Sequence, residues 1–268
     1  MRLAIVQTDP LFGEVDSNIR HALSLMEHEH ADLYVLPELF NTGYNFVDRK
    51  ELAMLAEPPT GGTFEAMAAF AKKRGCYLVY GFAEEGAALY NSAALVGPGG
   101  LLGLYRKVHL YYKETTLFAP GDLGFPVIPL PFGNVGMMIC FDWLFPESAR
   151  SLALGGADLI AHPSNLVMPH CPDAMVTRCL ENRVFSATAN RIGREERGGV
   201  ALGFIGKSEI VTPRGDILRR LDEASAGIAV EEVDLSLARN KMINKWNDLL
   251  GDRKPSQYAL TQEAPGAG

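Results

Sequence analysis

The chain has 268 residues, of which 47% are hydrophobic, and a formal net charge of −7. This length is enough for one large domain with a substantial core, or for two small domains. The acidic balance, without any block of Lys or Arg, argues against nucleic acid or an anionic membrane surface as a partner.

Signals of export or membrane insertion are also missing from the sequence. The N-terminus, MRLAIVQTDP, enters a strand at once without a basic and apolar leader, so we expect no signal peptide. No window approaches the roughly 18 apolar residues that a membrane-spanning helix needs. The cysteines have no CxxC spacing and are expected to be free thiols: Cys76, Cys140, Cys171 and Cys179. We therefore expect a cytoplasmic protein.

Strands and helices alternate in the first half of the chain. The predicted strands are Leu3–Gln7, Asp32–Leu36, Tyr77–Phe82, Leu89–Val96 and Leu101–Tyr105. The first strand is followed by a helix that Asp16 or Ser17 caps. A second helix, capped by Thr63 and stopped by Gly75, precedes the third strand. The Gly-rich turn at 97–100 joins the last two strands as a hairpin.

The second half begins with an apolar strand at Val135–Ile139, which leads to Cys140, and a helix opens at Pro146–Glu147. The further predicted strands are Asp158–Ala161, Phe185–Asn190, Ser208–Val211, Ile217–Arg219 and Ala226–Val233. Helices are predicted at Asp173–Asn182 and Leu235–Asn240, and the turn at 212–215 forms a second hairpin. The inserted hairpins favour mixed α/β sheets flanked by helices over a purely parallel sheet.

One domain, residues 1–256, accounts for this run, because no linker or internal repeat interrupts it. The segment 257–268 is rich in Gly, Pro, Gln and Ala. We expect it to be a C-terminal tail that is exposed or packs on a partner subunit.

Three chemically complementary residues follow apolar strands, and strand ends are where ligands gather in α/β sheets. They are Glu38, Lys107 and Cys140. A thiol needs a base or a positive field to become a nucleophile, and Glu38 is the candidate base. Lys107, with the backbone N–H of Phe141, is the candidate for stabilising an oxyanion. Spacing alone leaves open whether the three meet.

Other interpretations of the same residues remain open. A strand-end cysteine is also a common core residue. His109 is more typical of a core histidine, but it is an alternative base for a Cys–His hydrolase. A metal site formed by His162, His170 and Cys171 is a further alternative, but it has no recognisable ligand spacing, so we expect no metal there. A non-catalytic binding or scaffold protein is a further alternative.

Three segments in this order resemble the catalytic motifs of the nitrilase superfamily, the carbon–nitrogen hydrolases. They are LPELFNTGY (Leu36–Tyr44), YRKVHLYYKE (Tyr105–Glu114) and GMMICFDWLFPESAR (Gly136–Arg150), and the similarity extends over roughly residues 1–252. The resemblance implies Cys140 as nucleophile, Glu38 as general base and Lys107 as oxyanion stabiliser. Glu114 matches a second glutamate that orients the substrate and the base.

The same resemblance implies a fold and a reaction. The fold is a four-layer α–β–β–α sandwich that dimerises through helices, so a homodimer or higher homo-oligomer is expected. The reaction is attack of the thiol on an amide or nitrile carbon, with a thioester intermediate in amide hydrolysis and without a metal or cofactor.

The residues beside the motifs indicate a small substrate. Phe141 and Trp143, together with Tyr44, predict a compact pocket with aromatic walls, and Asn165 is a candidate for hydrogen bonding to the substrate. Family branches that bind a substrate carboxylate often have arginines just after the nucleophile, where this chain has Trp143 and Leu144. The third motif is similar to that of nitrilases and small-amide hydrolases of thermophilic prokaryotes. We therefore expect a small aliphatic or ω-amide substrate, with small aliphatic (di)nitriles as the alternative.

Overall fold

The computed structural model describes residues 1–259 and residue 261. Its strands are β1 Arg2–Gln7, β2 Leu33–Val35, β3 Tyr77–Glu85, β4 Leu89–Gly97, β5 Gly100–Arg106, β6 Val127–Leu130, β7 Gly133–Met137, β8 Leu159–Pro163, β9 Phe185–Ala189, β10 Arg194–Arg197, β11 Val200–Gly203, β12 Glu209–Val211, β13 Ile217–Arg220 and β14 Gly227–Glu232. Its α-helices are α1 Val15–Glu27, α2 Arg49–Leu55, α3 Gly62–Arg74, α4 Glu114–Leu117, α5 Pro146–Leu154 and α6 Cys171–Asn182. Short 3-10 helices lie at Cys140–Leu144, Leu235–Arg239 and Pro255–Gln257.

Two six-stranded mixed sheets form the centre of the molecule, in the orders β14-β1-β2-β3-β4-β5 and β13-β12-β9-β8-β7-β6. Each sheet has three parallel strands in its middle, β1-β2-β3 in one and β7-β8-β9 in the other. Antiparallel strands extend both sheets outward. The loops that follow the parallel strands leave each sheet at one edge, which is where the candidate residues were expected to lie.

The two sheets pack face to face across an apolar core to which both contribute, for example Ile5 and Val35 from the first and Met137 and Leu159 from the second. A second apolar layer lies between the first sheet and the helices α1 and α3. On the second sheet, α5 packs so closely that a Cβ on Gly136 would lie 2.8 Å from a methyl carbon of Leu152. The predicted four-layer α–β–β–α sandwich is confirmed.

Both predicted helix caps are wrong. Helix α1 begins at Val15, after Glu14, and no side chain caps its first turn. Helix α3 begins at Gly62, and the carboxylate of Glu57 accepts a hydrogen bond from the N–H of Thr63 at 2.9 Å. The side chain of Glu57, which lies outside the helix, therefore caps the first turn in place of Thr63. Gly75 does end α3, in the left-handed conformation that favours glycine.

Other differences concern element boundaries and short elements. The strand predicted at Val135–Ile139 is Gly133–Met137, so Cys140 lies three residues beyond the ladder. The segment predicted as a helix at Leu235–Asn240 is a 3-10 helix. The sequence patterns missed α2, α4, β6 and the separate hairpin β10–β11. Of the predicted tail 257–268, residue 260 and residues 262–268 lie outside the described residues.

Among the helices of the described residues, none combines the length and apolar character that a membrane crossing requires.

Candidate active site

Cys140 lies at a strained corner after β7. Its φ is 41°, a left-handed conformation that is uncommon for residues other than glycine. A 3-10 helix begins at this residue and leads into α5. His162, at the end of β8, donates from Nε2 to the carbonyl oxygen of Cys140 at 2.9 Å. The turn is thus held from the neighbouring strand, and only 6% of Cys140 is exposed.

Asp142 holds the same corner from the other side. One carboxylate oxygen accepts from the N–H of Ile139 at 2.8 Å and from the hydroxyl of Tyr105 at 2.6 Å. The other accepts from Nδ1 of His109 at 2.8 Å and from its backbone N–H at 3.2 Å. Asp142 therefore joins the Cys140 corner to the segment that carries Lys107. Sequence reasoning missed this role, although an acid two residues after the predicted nucleophile within an apolar motif was a usable signal.

Glu38 lies in the loop after β2 and is completely buried. Its Oε1 accepts from Nζ of Lys107 at 2.7 Å and from Nδ2 of Asn91 at 2.6 Å. Within the described part of the chain, its second oxygen, Oε2, has no hydrogen-bond partner. A buried carboxylate oxygen without a hydrogen-bond partner is energetically costly, and this oxygen is free to accept a proton.

Lys107 is bound between two carboxylates, because Nζ also donates to Oε1 of Glu114 at 2.8 Å. Glu114 accepts in addition from the hydroxyl of Tyr44 at 2.5 Å and from the N–H of Tyr111 at 3.2 Å. Burial by itself lowers the pKa of Lys107, but the charges of Glu114 and Glu38 outweigh it and raise the pKa above its ordinary value. The ammonium group is therefore charged at neutral pH.

The thiol of Cys140 lies close enough to this cluster that all three charges act on it. Burial raises its pKa well above the ordinary value of cysteine, and the Glu38 carboxylate raises it further. Lys107 and the backbone N–H of Asn165 act in the opposite direction without cancelling the increase. The resting sulfur is consequently a protonated thiol that requires a base before it can attack.

Cys140 lines a small pocket with a cavity volume of about 10 Å³. The described residues that line it are uncharged: Tyr111, Cys140, Phe141, Trp143, Asn165, Leu166, Val167 and Met168. Three predicted substrate-binding residues are therefore on its wall. Tyr44 is not among them, because its buried hydroxyl donates to Glu114.

Asn165 contributes a side-chain amide to this wall. Asn165 is 3% exposed, and neither its Nδ2 nor its Oδ1 has a hydrogen-bond partner within the described residues. A buried amide with a free donor and a free acceptor is complementary to another amide.

The alternatives involving histidine find no support in this geometry. His109 donates to Asp142, as above, and its ring stacks on Phe145 with centroids 3.7 Å apart, which gives it a structural role. His162 is buried, and burial lowers its pKa to about 4. The described residues contain no group of three or more His, Cys, Asp or Glu side chains arranged to hold a metal ion, so His162, His170 and Cys171 do not form one.

The α–β–β–α sandwich and the three motifs at its strand ends place the protein in the nitrilase superfamily. Residues 2–241 match the family model described as carbon-nitrogen hydrolase, and the chain belongs to this family of enzymes.

Individual relatives agree with that assignment. A nitrilase of Pyrococcus abyssi is 51% identical over 96% of this chain and 99% of its own length. An N-carbamoylputrescine amidase of Arabidopsis thaliana is 32% identical over 92% of this chain and 90% of its own. Among solved structures, a mutant of the amidase from Nesterenkonia sp. AN1, with acrylamide added to its active-site cysteine, has a TM-score of 0.74 at 28% identity. That match covers 90% of this chain and 96% of the other.

Proposed function

We propose that this protein hydrolyses the C–N bond of a small, uncharged aliphatic or ω-amide to a carboxylic acid and ammonia, with Cys140 as the nucleophile. The observation that carries the proposal is the buried cluster behind the thiol. In it, Glu38 has one oxygen fixed by Lys107 and the other free to accept a proton.

In the first half of the reaction, Oε2 of Glu38 takes the thiol proton while Sγ of Cys140 forms a bond to the carbonyl carbon. The Lys107 ammonium and the N–H of Phe141 stabilise the resulting oxyanion; loss of one such donor typically costs on the order of 3 kcal/mol. When the C–N bond breaks, Glu38 returns the proton to the leaving nitrogen. Ammonia departs and a thioester remains on Cys140.

Water completes the cycle from the same side. Glu38 takes a proton from a water molecule while the water oxygen attacks the thioester carbon. The C–S bond then breaks. The proton returns to sulfur as the carboxylic acid leaves. Glu114 keeps Lys107 in place throughout, which gives the second glutamate a role in orienting the site rather than in proton transfer.

The pocket supports the choice of substrate. Its described lining contains no charged side chain, so a substrate carboxylate or amine would enter without a counter-ion at a substantial desolvation cost. Phe141 and Trp143 supply apolar contact for a short aliphatic chain. Asn165 supplies a donor and an acceptor for an amide. Carbamoyl-amino acids are disfavoured as substrates because their carboxylate would have no counter-ion in this pocket.

The test measures ammonia release from a panel of short monoamides, short diamides, N-carbamoylputrescine and short dinitriles. We expect turnover of the uncharged amides, loss of turnover in Cys140→Ser, and an acyl adduct on Cys140 in rapid-quench mass spectrometry. Turnover of nitriles alone would overturn the proposal in favour of the second candidate, a nitrilase. The name of the Pyrococcus abyssi relative is the observation that favours that candidate.

The rates at which the thiols react distinguish the proposed enzyme from a scaffold protein without activity. All four cysteines are buried, but Cys140 lines the pocket. We expect an uncharged electrophile to modify Cys140 faster than Cys76, Cys171 and Cys179. Equal rates at all four, without amide turnover, would favour the scaffold.

We also propose a cytoplasmic homodimer. The outward faces of α5 and α6 carry Leu154 and Leu180, which are 49% and 50% exposed and would be covered in a dimer. The four free thiols suit a reducing compartment. Sedimentation velocity tests the dimer, and a monomer mass at micromolar concentration would contradict it. Immunolocalisation or cell fractionation tests the location.

A further inference from the structure

A second buried ion pair lies behind the loop that carries Tyr44. The side chains of Arg191 and Glu195 are 1% and 5% exposed, and Nη1 of Arg191 donates to Oε1 of Glu195. Arg191 is itself fixed, because Nη2 donates to the carbonyl of Pro10 at 3.1 Å. Its guanidinium carbon lies 4.0 Å from the ring centroid of Phe204. None of these residues lines the pocket.

The carboxylate of Glu195 receives the backbone of the loop Gly43–Asn45. It accepts from the N–H of Asn45 at 2.6 Å, and each of its oxygens lies 3.2 Å from the nitrogen of Tyr44. Gly43 has a φ of 82°, and a Cβ there would lie 2.9 Å from Oε1 of Glu195. The backbone of the loop therefore packs directly against this carboxylate. Glu195 belongs to strand β10 and is far from the loop in sequence.

Tyr44 connects this pair to the proposed catalytic cluster. Its ring packs edge-on against Phe204, with centroids 6.0 Å apart, and its hydroxyl donates to Glu114. Burial and the charge of Glu114 raise the pKa of Tyr44, so the hydroxyl keeps its proton and remains a donor. Glu114 in turn accepts from Lys107. A continuous chain of contacts thus runs from Glu195 to the lysine.

We propose that Glu195, held by Arg191, is a positioning residue for the hydrolysis reaction. It fixes the backbone of Tyr44, and the Tyr44 hydroxyl then holds the Glu114 carboxylate in position. Glu114 in turn fixes the position of the Lys107 ammonium group. The inference rests on the proposed function. The position requires a carboxylate, because two backbone N–H groups and a guanidinium converge on it. In a glutamine, the amide nitrogen would face one of these donors without an acceptor.

The experiment compares Glu195→Gln, Tyr44→Phe and the double variant on the best amide substrate. Small displacements of a catalytic group cost rate rather than binding. We therefore expect kcat to fall about ten- to a hundredfold in Glu195→Gln while KM stays within about twofold. Both residues act through Glu114, so their effects should not multiply. We expect the kcat of the double variant to lie within about threefold of the kcat of the slower single variant.

The matched control is Glu196→Gln. Glu196 is the next residue of β10, is exposed, and pairs with Arg194 at the surface. We expect it to keep the kcat of the unchanged protein. An unchanged kcat in Glu195→Gln, or effects of Glu195→Gln and Tyr44→Phe that multiply in the double variant, would overturn the inference. If Glu195→Gln does not fold, as judged by circular dichroism, Phe204→Leu replaces it, with the same expectation for kcat.

Alkylation of Cys140 by acrylamide gives a second measurement that needs no amide turnover. We expect Glu195→Gln and Tyr44→Phe to change its pH–rate profile in the same direction, and Glu196→Gln to leave it unaltered. A protein that hydrolyses no amide would refute the proposed function. The profiles would then still decide the inference, since identical profiles in all variants would refute the positioning role.

Discussion

The sulfur of Cys140, the proposed nucleophile, depends on its surroundings for its ionisation state. Burial and the nearby carboxylates of Glu38 and Glu114 raise the pKa of the Cys140 thiol, and Glu38 has the larger effect of the two. A thiol in this state is a weak nucleophile by itself. In the proposed mechanism, activation therefore depends on the free oxygen of Glu38.

Glu38→Gln keeps the shape and one hydrogen bond to Lys107 but removes the base. We expect kcat for amide hydrolysis to fall by on the order of a hundred- to ten-thousandfold. His109→Asn replaces the donor to Asp142 by an amide of similar reach, so we expect activity to stay within about tenfold of the unchanged protein. Steady-state ammonia release measures both.

The reverse result, with His109→Asn inactive and Glu38→Gln competent, would show that a Cys–His pair carries the reaction. Thermal unfolding of both variants serves as the control for folding. His109→Asn is expected to lower the free energy of unfolding by about 1–2 kcal/mol, because it loses the stacking on Phe145.

The strand β3 positions Glu38, the proposed base, by approaching it closely. A Cβ on Gly81 would lie 2.5 Å from Cα of Glu38 and 2.8 Å from the backbone nitrogen of Leu39. Leu39 has a φ of 48°, so the turn that presents Glu38 is already strained. Glycine at this place in β3 allows the loop after β2 to lie directly on the strand.

Gly81→Ala is expected to push the Glu38 loop away from β3. We expect a loss of about 2 kcal/mol or more in the free energy of unfolding, together with a lower kcat. Gly99→Ala is the matched control, because a Cβ at Gly99 meets no atom within 4 Å. It should change stability by less than about 0.5 kcal/mol. Urea unfolding and ammonia release test both variants, and equal stability of the two would contradict this account of Gly81.

The molecule as a whole gathers the site from both sheets. Glu38 comes from the first sheet, Cys140 and His162 come from the second, and Lys107 follows the edge strand β5. His162 accepts from the hydroxyl of Thr188 at Nδ1 and donates from Nε2 to the carbonyl of Cys140, so the buried neutral ring fits its surroundings. Protonation of that ring would leave an uncompensated charge inside the sandwich.

This burial predicts a dependence of stability on pH. The pKa of His162 is about 4 in the folded protein, below the ordinary value of 6.5, so the unfolded chain binds the proton first as the pH falls. The contribution to stability is complete above about pH 6.5 and is lost as the pH falls toward 4, by up to about 3 kcal/mol. His162→Gln should show a smaller loss over this range.

His170→Gln is the control, because His170 is exposed. It should lose stability between pH 6.5 and 4 as the unchanged protein does, because this variant keeps the buried His162. Urea unfolding at several pH values measures the three proteins. A His162→Gln variant with the same pH dependence as the unchanged protein would refute the interpretation.

Much of the architecture was accessible from pattern alone. The apolar runs that predicted β1, β3, β8 and β9 lie close to the observed strands, because burial on both faces demands continuous hydrophobic residues. The two hairpins β4–β5 and β12–β13 were accessible from the turn residues that join their strands. Boundaries and caps were less accessible. The N–H of Thr63 bonds to Glu57, a partner that a local cap rule does not consider. In the hairpin β10–β11 the first strand is charged and the second has only four residues, which are half-exposed or exposed, so its hydrophobic signal is weak.

The sequence by itself determined the chemical groups of the site, because three ordered motifs named the thiol, the carboxylates and the ammonium. Tertiary structure decided how those groups divide their tasks. It left one oxygen of Glu38 free, turned Tyr44 from the pocket toward Glu114, and made Asp142 the link between two motifs. These outcomes depend on hydrogen bonds between residues far apart in the chain. Such partners are chosen by how the two sheets pack, and no local pattern of residues encodes them.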